Sequence, residues 1–175
     1  NVKSTFDLLE WSRNTGVQKF IFTSTGNVYS PKNDLLREHD LCLPTSMYAA
    51  TKLSAEYIIQ QYAEIFHGIV LRLFGIYGPH QQGMIIPTMI ECVKTGDEII
   101  LADGKGIYLT PLYISDCVEI IRKLLEYPSL HQFELFNVSG SEILHLGEIV
   151  SKISKVLRVE PNVKIVDNEP KYLQG

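Results

Sequence analysis

Residues 17–29 of the chain read Val-Gln-Lys-Phe-Ile-Phe-Thr-Ser-Thr-Gly-Asn-Val-Tyr. The short apolar run in the first seven residues, rich in aromatic and β-branched side chains, predicts a strand that is buried on both faces. A hydroxyl-rich turn ends this strand. Because ligands of open α/β sheets sit beyond the carboxyl ends of the strands, we expect Ser24 and Thr25 to touch a substrate hydroxyl. Turn formation and helix capping explain the same two residues equally well.

Helical and strand patterns alternate on both sides of this stretch. Residues 2–15 place Val2, Phe6 and Leu9 on one helical face, and Gly16 supplies a stop. A helix from about 46 to 66 follows Pro44, and such alternation with buried strands predicts an α/β fold built on a parallel sheet. The remaining predicted elements are strands at 69–74, 98–101, 133–138 and 163–166, and helices at 85–94 (interrupted near Pro87), 115–127 and 145–157.

Tyr48 and Lys52 stand four residues apart on the predicted helix 46–66, so they share one face. A nearby ammonium favours phenolate and makes a tyrosine usable as an acid or base. Moving a tyrosine pKa from about 10 to about 7 requires roughly 4 kcal/mol, whereas one ammonium at ~6 Å and an effective dielectric of ~20 supplies about 2.8 kcal/mol. A second positive group is needed, and an oxidised nicotinamide ring would be one. A surface tyrosine beside a solvated lysine explains the isolated pair as well.

Composition and charge narrow the class of partner. The 175 residues carry a net charge of −4, with no run of Lys or Arg and no apolar run of membrane length, so neither nucleic acid nor a bilayer is the expected partner. Cys42, Cys92 and Cys117 are widely spaced and odd in number, which predicts reduced thiols and a cytoplasmic protein. No metal site is expected, because His80 has no second ligand at a suitable spacing and fits a loop residue.

Several charged residues have predicted roles of their own. Arg72 lies inside an apolar strand pattern, so if buried it needs a carboxylate or several carbonyl oxygens. Glu56 follows Lys52 by one helical turn and could draw the ammonium away from Tyr48. Glu38 and Asp40 are expected to be solvated in an exposed loop spanning 30–44, and residues 103–106 are predicted to form a turn.

Taken in order, these segments resemble the extended short-chain dehydrogenase/reductase family, the NAD-dependent epimerases and dehydratases of nucleotide sugars. The resemblance covers nearly the whole chain. The matching segments are Asn1-Val2 with the helix through Glu10, Phe22–Tyr29, Tyr48–Lys52, Leu71–Pro79, Tyr113–Asp116 and Phe136–Val138.

The resemblance implies a partial doubly wound, Rossmann-like parallel sheet with a smaller α/β substrate-binding lobe. Residues 1–79 would be the second half of the NAD-binding domain. Residues 80–175 would be mainly the substrate-binding lobe, with 113–138 returning to the main sheet. The partner implied is a nucleotide-sugar substrate, and the cofactor is NAD, with NADP left open. A homodimer through helices 2–15 and 46–66 is also implied.

Site roles follow from the resemblance residue by residue. Tyr48 would exchange a proton with a sugar hydroxyl during transient hydride transfer, and Lys52 would hold the nicotinamide ribose and lower the tyrosine pKa. Thr25 would hydrogen-bond the reacting hydroxyl. Asn1 and Phe74 match positions that lie against the cofactor.

Three departures from the family pattern bear on the reaction. Dehydratases of the family carry acids in the turn that reads Thr25-Gly26-Asn27 here, so epimerisation or plain oxidoreduction is favoured over elimination. Gly75 stands where many members place a substrate-binding asparagine. An arginine that often precedes Tyr113 and binds the diphosphate is absent, which leaves the nucleotide-sugar specificity open.

The family's glycine-rich strand, turn and helix, which bind the NAD pyrophosphate, are expected some eighty residues before Asn1. The chain is accordingly expected to be a fragment that is inactive in isolation. NAD-dependent epimerisation of a nucleotide sugar is the leading interpretation. A dehydratase, a reductase and, from another class, a non-catalytic dinucleotide- or partner-binding module are the alternatives.

Overall fold

The computed structural model describes residues 1–30, 35–128 and 131–167, so residues 31–34 of the predicted loop 30–44 lie outside the described residues. The helices are α1 Val2–Thr15, α2 Met47–Gln61, α3 Ile85–Thr95, α4 Ile114–Glu126 and α5 Leu146–Leu157, with a 3-10 turn at Gly26–Val28. The strands are β1 Lys19–Thr25, β2 His67–Leu73, β3 Ile76–Tyr77, β4 Ile99–Ala102, β5 Tyr108–Leu109, β6 Leu112–Tyr113, β7 Phe133–Val138, β8 Leu144–His145 and β9 Val163–Val166.

The described chain forms two compact units, one of residues 1–74 with 116–138 and the other of residues 75–115 with 139–167. The first unit contains a parallel sheet in the order β1-β2-β7. Its register aligns Thr25, Leu73 and Val138, so the three strands end together at one edge.

One face of this sheet is covered by α1 and α2. Leu9, Ile59, Phe66 and Val70 form a fully or almost fully buried cluster there. Ala49 and Ala55 on α2 are also fully buried, and such small side chains allow a helix to lie close against its neighbours. The sequence therefore places α2 firmly on the sheet through its apolar and small residues.

The second unit pairs short strands around its own core. Strands β4 and β9 are parallel, β3 pairs with β6 in parallel, and β5 pairs with β8 antiparallel. Its buried cluster consists of Val93, Ile99, Leu101, Leu146 and Val150.

The prediction of an α/β fold with parallel strands is confirmed, and the elements agree with the predicted patterns to within a few residues. Gly16 ends α1 with a φ of 70°, as the stop signal predicts. The predicted turn at 103–106 is also present: Asp103 has a φ of 50°, and the Gly106 N–H donates to the Ala102 carbonyl oxygen at 2.8 Å.

Three predictions of detail were wrong. Helix α2 ends at Gln61 rather than 66, because Phe66 turns inward to join the core before β2 begins. Strand β1 continues through Ser24 and Thr25, which were predicted to lie in the turn. Pro87 does not interrupt α3, because it occupies the first turn, where a backbone N–H has no partner within the helix.

Within the part of the chain that is described, no helix combines the length and apolar character needed to cross a bilayer.

Candidate active site

Lys52 lies at the carboxyl edge of the sheet and is held there by the backbone. Its Nζ donates a hydrogen bond of 2.8 Å to the Thr23 carbonyl oxygen, near the end of β1. The same nitrogen lies 4.6 Å from the centroid of the Phe22 ring and 6.0 Å from that of Tyr48. Burial lowers the pKa of the Lys52 ammonium. The predicted juxtaposition of Tyr48 and Lys52 on one face of the helix is therefore present.

Tyr48 stands in the first turn of α2 with about half of its surface exposed. Ser46 caps this helix, because its Oγ accepts a hydrogen bond of 3.2 Å from the Ala49 N–H. The cap and the buried Ala49 fix the start of the helix, while the aromatic ring remains open to a ligand.

Asn1 approaches α2 from the start of α1. Its Nδ2 donates to Thr51 Oγ1 at 3.0 Å, and the Thr51 hydroxyl donates to the Tyr48 carbonyl oxygen at 2.8 Å. The structure thus brings Asn1 to the same turn of α2 that carries Tyr48 and Lys52.

The two hydroxyl residues that end β1 have different surroundings. Thr25 Oγ1 accepts a hydrogen bond of 3.2 Å from the Asn27 N–H and caps the 3-10 turn, which leaves its own hydrogen to donate. Ser24 is 4 % exposed, and its hydroxyl donates to the Glu56 carboxylate. The hydroxyl hydrogen of Ser24 is therefore directed to Glu56, and its contact with a substrate stays a prediction.

Phe74 packs in the first unit against the turn that follows β1. Its ring stacks on that of Tyr29, with centroids 6.1 Å apart and planes 20° from parallel. It also occupies the space beside Gly26, where an added Cβ would lie 2.3 Å from a ring atom. Gly26 is therefore required by the packing of Phe74.

Gly75 belongs to the second unit. Its φ is 54°, and an added Cβ would lie 2.8 Å from the Thr110 carbonyl oxygen. The Gly75 carbonyl oxygen accepts a hydrogen bond of 3.0 Å from the Leu112 N–H. The close approach of the 110–112 backbone explains a glycine at this position.

Glu56 and Arg72 form a buried ion pair. The sequence predicted that Arg72 needs a partner but did not identify Glu56 as that partner. The prediction that a buried Arg72 needs a carboxylate is confirmed, because Arg72 Nη2 lies 2.7 Å from Glu56 Oε2. The prediction that Glu56 competes for Lys52 was wrong, because Glu56 points into the protein toward Arg72. An acid on α2 and an arginine inside an apolar strand were the two signals that could have predicted the pair.

Glu38 is exposed, as predicted, and Asp40 is half-buried, but both carboxylates also accept hydrogen bonds from the backbone. Glu38 Oε1 accepts a hydrogen bond of 2.8 Å from the Asn137 N–H, and Asp40 Oδ2 accepts one of 2.7 Å from the Arg37 N–H. The Glu38 carboxylate therefore contacts β7, and the Asp40 carboxylate contacts the backbone of its own segment. In the described ranges, no three His, Cys, Asp or Glu side chains group as metal ligands would.

The chain is similar in sequence to proteins of known family. An uncharacterised UDP-glucose epimerase of Bacillus subtilis, YtcB, is 34% identical over 89% of this chain and 50% of its own length. The mouse dTDP-D-glucose 4,6-dehydratase is 33% identical over 90% of the chain and 45% of its own length. The chain thus spans about half the length of these curated relatives.

Solved structures show the same relationship. The UDP-glucuronic acid 4-epimerase of Bacillus cereus, in complex with UDP-glucuronic acid and NAD, has a TM-score of 0.85 at 27% identity, covering 99% of this chain and 56% of that one. The fold of the described residues is therefore the Rossmann-like fold of these enzymes.

The model of one enzyme family, described as the NAD dependent epimerase/dehydratase family, matches residues 1–139, which include every predicted site residue. Together with the relatives above, this match shows that the chain belongs to the NAD dependent epimerase/dehydratase family.

Proposed function

We propose that the full-length protein catalyses the NAD-dependent 4-epimerisation of a nucleotide sugar, and that this chain contributes its acid/base residues. The observation that carries the proposal is the position of Lys52. Its ammonium is held on the Thr23 carbonyl oxygen and lies 6.0 Å from the centroid of the Tyr48 ring. Tyr48 and Lys52 therefore lie together on one face of α2 at the carboxyl edge of the sheet, where open α/β sheets bind their ligands.

The donors near Lys52 fit a bound NAD. One N–H of the Lys52 ammonium donates to the Thr23 carbonyl oxygen. Its two other N–H groups can donate hydrogen bonds to the hydroxyls of a ribose. The half-exposed Tyr48 lies on the turn of α2 whose Thr51 accepts a hydrogen bond from the Asn1 amide. The carboxyl edge of a parallel sheet is where such folds bind dinucleotides. When bound, NAD supplies the acceptor and then the donor of a hydride.

The chain's own residues perform the proton transfer. The Tyr48 phenolate accepts the proton of the sugar hydroxyl as a hydride leaves the same carbon, and it returns the proton to that oxygen as a hydride adds to the opposite face. Lys52 stabilises the phenolate while Tyr48 is deprotonated. Thr25 donates its hydroxyl hydrogen to the reacting sugar oxygen and so orients that oxygen toward Tyr48.

The packing at Gly26 supports epimerisation over elimination. An acid of the kind that dehydratases carry in this turn cannot stand at position 26, because even its Cβ would lie 2.3 Å from the Phe74 ring. That ring cannot easily move aside, because it stacks on the buried Tyr29, whose ring centroid also lies 4.6 Å from the Arg72 guanidinium.

Replacing Gly26 by Ala should lower the free energy of unfolding by about 1–3 kcal/mol, because the methyl group overpacks a filled site. Phe74→Ala should relieve the same clash. Urea unfolding of the two single variants and the double variant measures their coupling, and the double variant should lose less than the two single losses combined. Strictly additive losses would contradict the proposed steric exclusion.

A product assay tests the proposed function. Full-length protein supplied with NAD and a panel of UDP- and dTDP-sugars should form the 4-epimer with no net consumption of NAD. Formation of a 4-keto-6-deoxy sugar would identify a dehydratase, and accumulation of NADH would identify a net oxidoreductase. Failure to bind any dinucleotide would favour a non-catalytic module and overturn the proposal.

We also propose that the protein is a homodimer through α1 and α2, as the resemblance implies. These helices expose large apolar side chains: Phe6 is 47% exposed, Trp11 61% and Met47 81%. Trp11→Glu should convert the dimer to a monomer in sedimentation velocity, because a buried unpaired carboxylate opposes association. An unchanged sedimentation coefficient would exclude this interface.

We further propose a cytoplasmic location. The three cysteines, Cys42, Cys92 and Cys117, form no disulfide, as is usual for proteins of a reducing compartment.

A further inference from the structure

Three polar side chains form a row across the sheet, one residue before its strands end. Ser24 on β1 is in register with Arg72 on β2, which is in register with Asn137 on β7. They follow apolar residues on the same face, since side chains two apart on a strand share a face. Ser24 and Arg72 are each 4% exposed, and buried polar groups of this kind need partners.

Glu56 on α2 supplies the partner for two members of the row. Arg72 donates from Nη2 to Glu56 Oε2 at 2.7 Å and from Nε to the same oxygen at 3.1 Å, while the Ser24 hydroxyl donates to Oε1. Glu56 is 3% exposed. Burial acts to lower the pKa of the Arg72 guanidinium, but the hydrogen bonds and charge of Glu56 outweigh it, and the pKa is raised.

This ion pair stands directly behind the proposed acid/base residues. Glu56 follows Lys52 by four residues and Tyr48 by eight, so the three occupy successive turns of α2. The helix is therefore attached to β1 at two adjacent points, by Lys52 on the Thr23 carbonyl oxygen and by Glu56 on Ser24.

The same row also holds the segment between β1 and α2. Arg72 Nη1 donates to the Glu38 carbonyl oxygen at 3.2 Å, and Asn137 Nδ2 donates to the Leu36 carbonyl oxygen at 3.1 Å. The Tyr29 hydroxyl donates to Asn137 Oδ1 at 2.6 Å. One guanidinium thus connects the helix of Tyr48 and Lys52 with the chain that leads into it.

We propose that Glu56 and Arg72 are positioning residues for the proposed reaction. Apolar packing is non-directional and tolerates sliding of a helix along a sheet, whereas a fork of charge-assisted hydrogen bonds permits one register. The register set by Glu56 and Arg72 is the one in which Lys52 reaches Thr23 and stands beside Tyr48. Both residues are too deeply buried to touch substrate, so their effect on turnover passes through α2.

The first unit offers a matched control in a second buried pair on the same strand. His67, the first residue of β2, has its Nε2 2.6 Å from Glu134 Oε2, and their side chains are 5% and 8% exposed. This pair stands at the amino end of the strands, whereas Arg72 stands near their carboxyl end. Loss of the His67 contact should therefore disturb stability without disturbing Lys52.

The proposal rests on the function proposed above, and the test uses the full-length enzyme with NAD and its sugar nucleotide. Glu56→Gln keeps the size of the side chain but removes its charge, and it should lower kcat about 100-fold, because a displacement of about 1 Å has an effect of that order. KM should change much less than kcat. Glu134→Gln should lower the melting temperature and leave kcat within about twofold of wild type.

Two further results separate the possibilities. Arg72→Lys retains the positive charge but loses the fork, so it should also lower kcat, and it replaces Glu56→Gln if that variant does not fold. A folded Glu56→Gln or Arg72→Lys enzyme with wild-type kcat, measured well below its melting temperature, would overturn the positioning role. An inactive wild-type enzyme would instead refute the proposed function.

Discussion

Tyr48→Phe is expected to lower turnover by about 10²- to 10⁴-fold, the usual contribution of a positioned acid or base. The substitution removes one oxygen from a half-exposed side chain, so the fold should not change. The lost oxygen is the one that exchanges a proton with the sugar hydroxyl in the proposed reaction. Lys52 keeps its bond to the Thr23 carbonyl oxygen, so the site for the ribose should persist.

The measurement is steady-state kinetics of full-length Tyr48→Phe beside dinucleotide binding, followed by NADH fluorescence. Binding should be retained while kcat falls, since the phenol acts in the transition state more than in the ground state. Tyr57→Phe is the matched control: Tyr57 lies on the same helix, is 59% exposed and has no proposed role in the chemistry. Wild-type turnover in Tyr48→Phe would refute the acid/base assignment.

Arg72→Met is expected to lower the free energy of unfolding by about 3–5 kcal/mol, because it leaves the Glu56 carboxylate buried without its counter-ion. Glu56 is 3% exposed, so its carboxylate is largely removed from water. The hydrogen bond to the Glu38 carbonyl oxygen is lost at the same time.

The double variant Arg72→Met with Glu56→Leu should recover at least half of that loss, because replacing a whole buried pair by apolar residues is often close to neutral. Urea unfolding of the full-length protein measures both variants. Lys3→Met is the control, since the pair of Lys3 with Asp7 is exposed and such pairs contribute little. A loss in Arg72→Met no larger than that in Lys3→Met would show that the buried pair does not hold the fold together.

Local pattern predicted most of the architecture correctly for a physical reason. The apolar segments around Phe22, Val70 and Leu135 are too short for a typical helix and rich in aromatic and β-branched residues, a combination that favours strands. Gly16 and Ser46 signal helix ends through their own backbone and hydroxyl chemistry. Such signals depend only on neighbouring residues, so they predict strands and helix ends without knowledge of the tertiary packing.

The predictions from sequence were wrong where the position of a residue depends on a partner that is distant in the chain. Nothing near Gln61 in the chain indicates the end of α2, which depends on the entry of Phe66 into the core. Glu56 has Lys52 as its neighbour in sequence, yet its partner Arg72 is brought to it by the pairing of β1 with β2. The contact between the Phe74 ring and Gly26 likewise cannot be predicted from local sequence, because it forms only when the chain folds.

By itself the sequence determined three things: the α/β class, the position of Tyr48 and Lys52 on one helical face, and the resemblance to a family of NAD-dependent enzymes. All three depend on residue type and local periodicity. Only the tertiary structure decided which partners the polar side chains have. Lys52 donates to the Thr23 carbonyl oxygen, Ser24 donates to Glu56, and Arg72 on β2 forms an ion pair with Glu56 on α2. The physical reason is that hydrogen bonds and ion pairs depend on distances of a few ångströms between residues far apart in the chain, and those distances are set by packing rather than by sequence spacing.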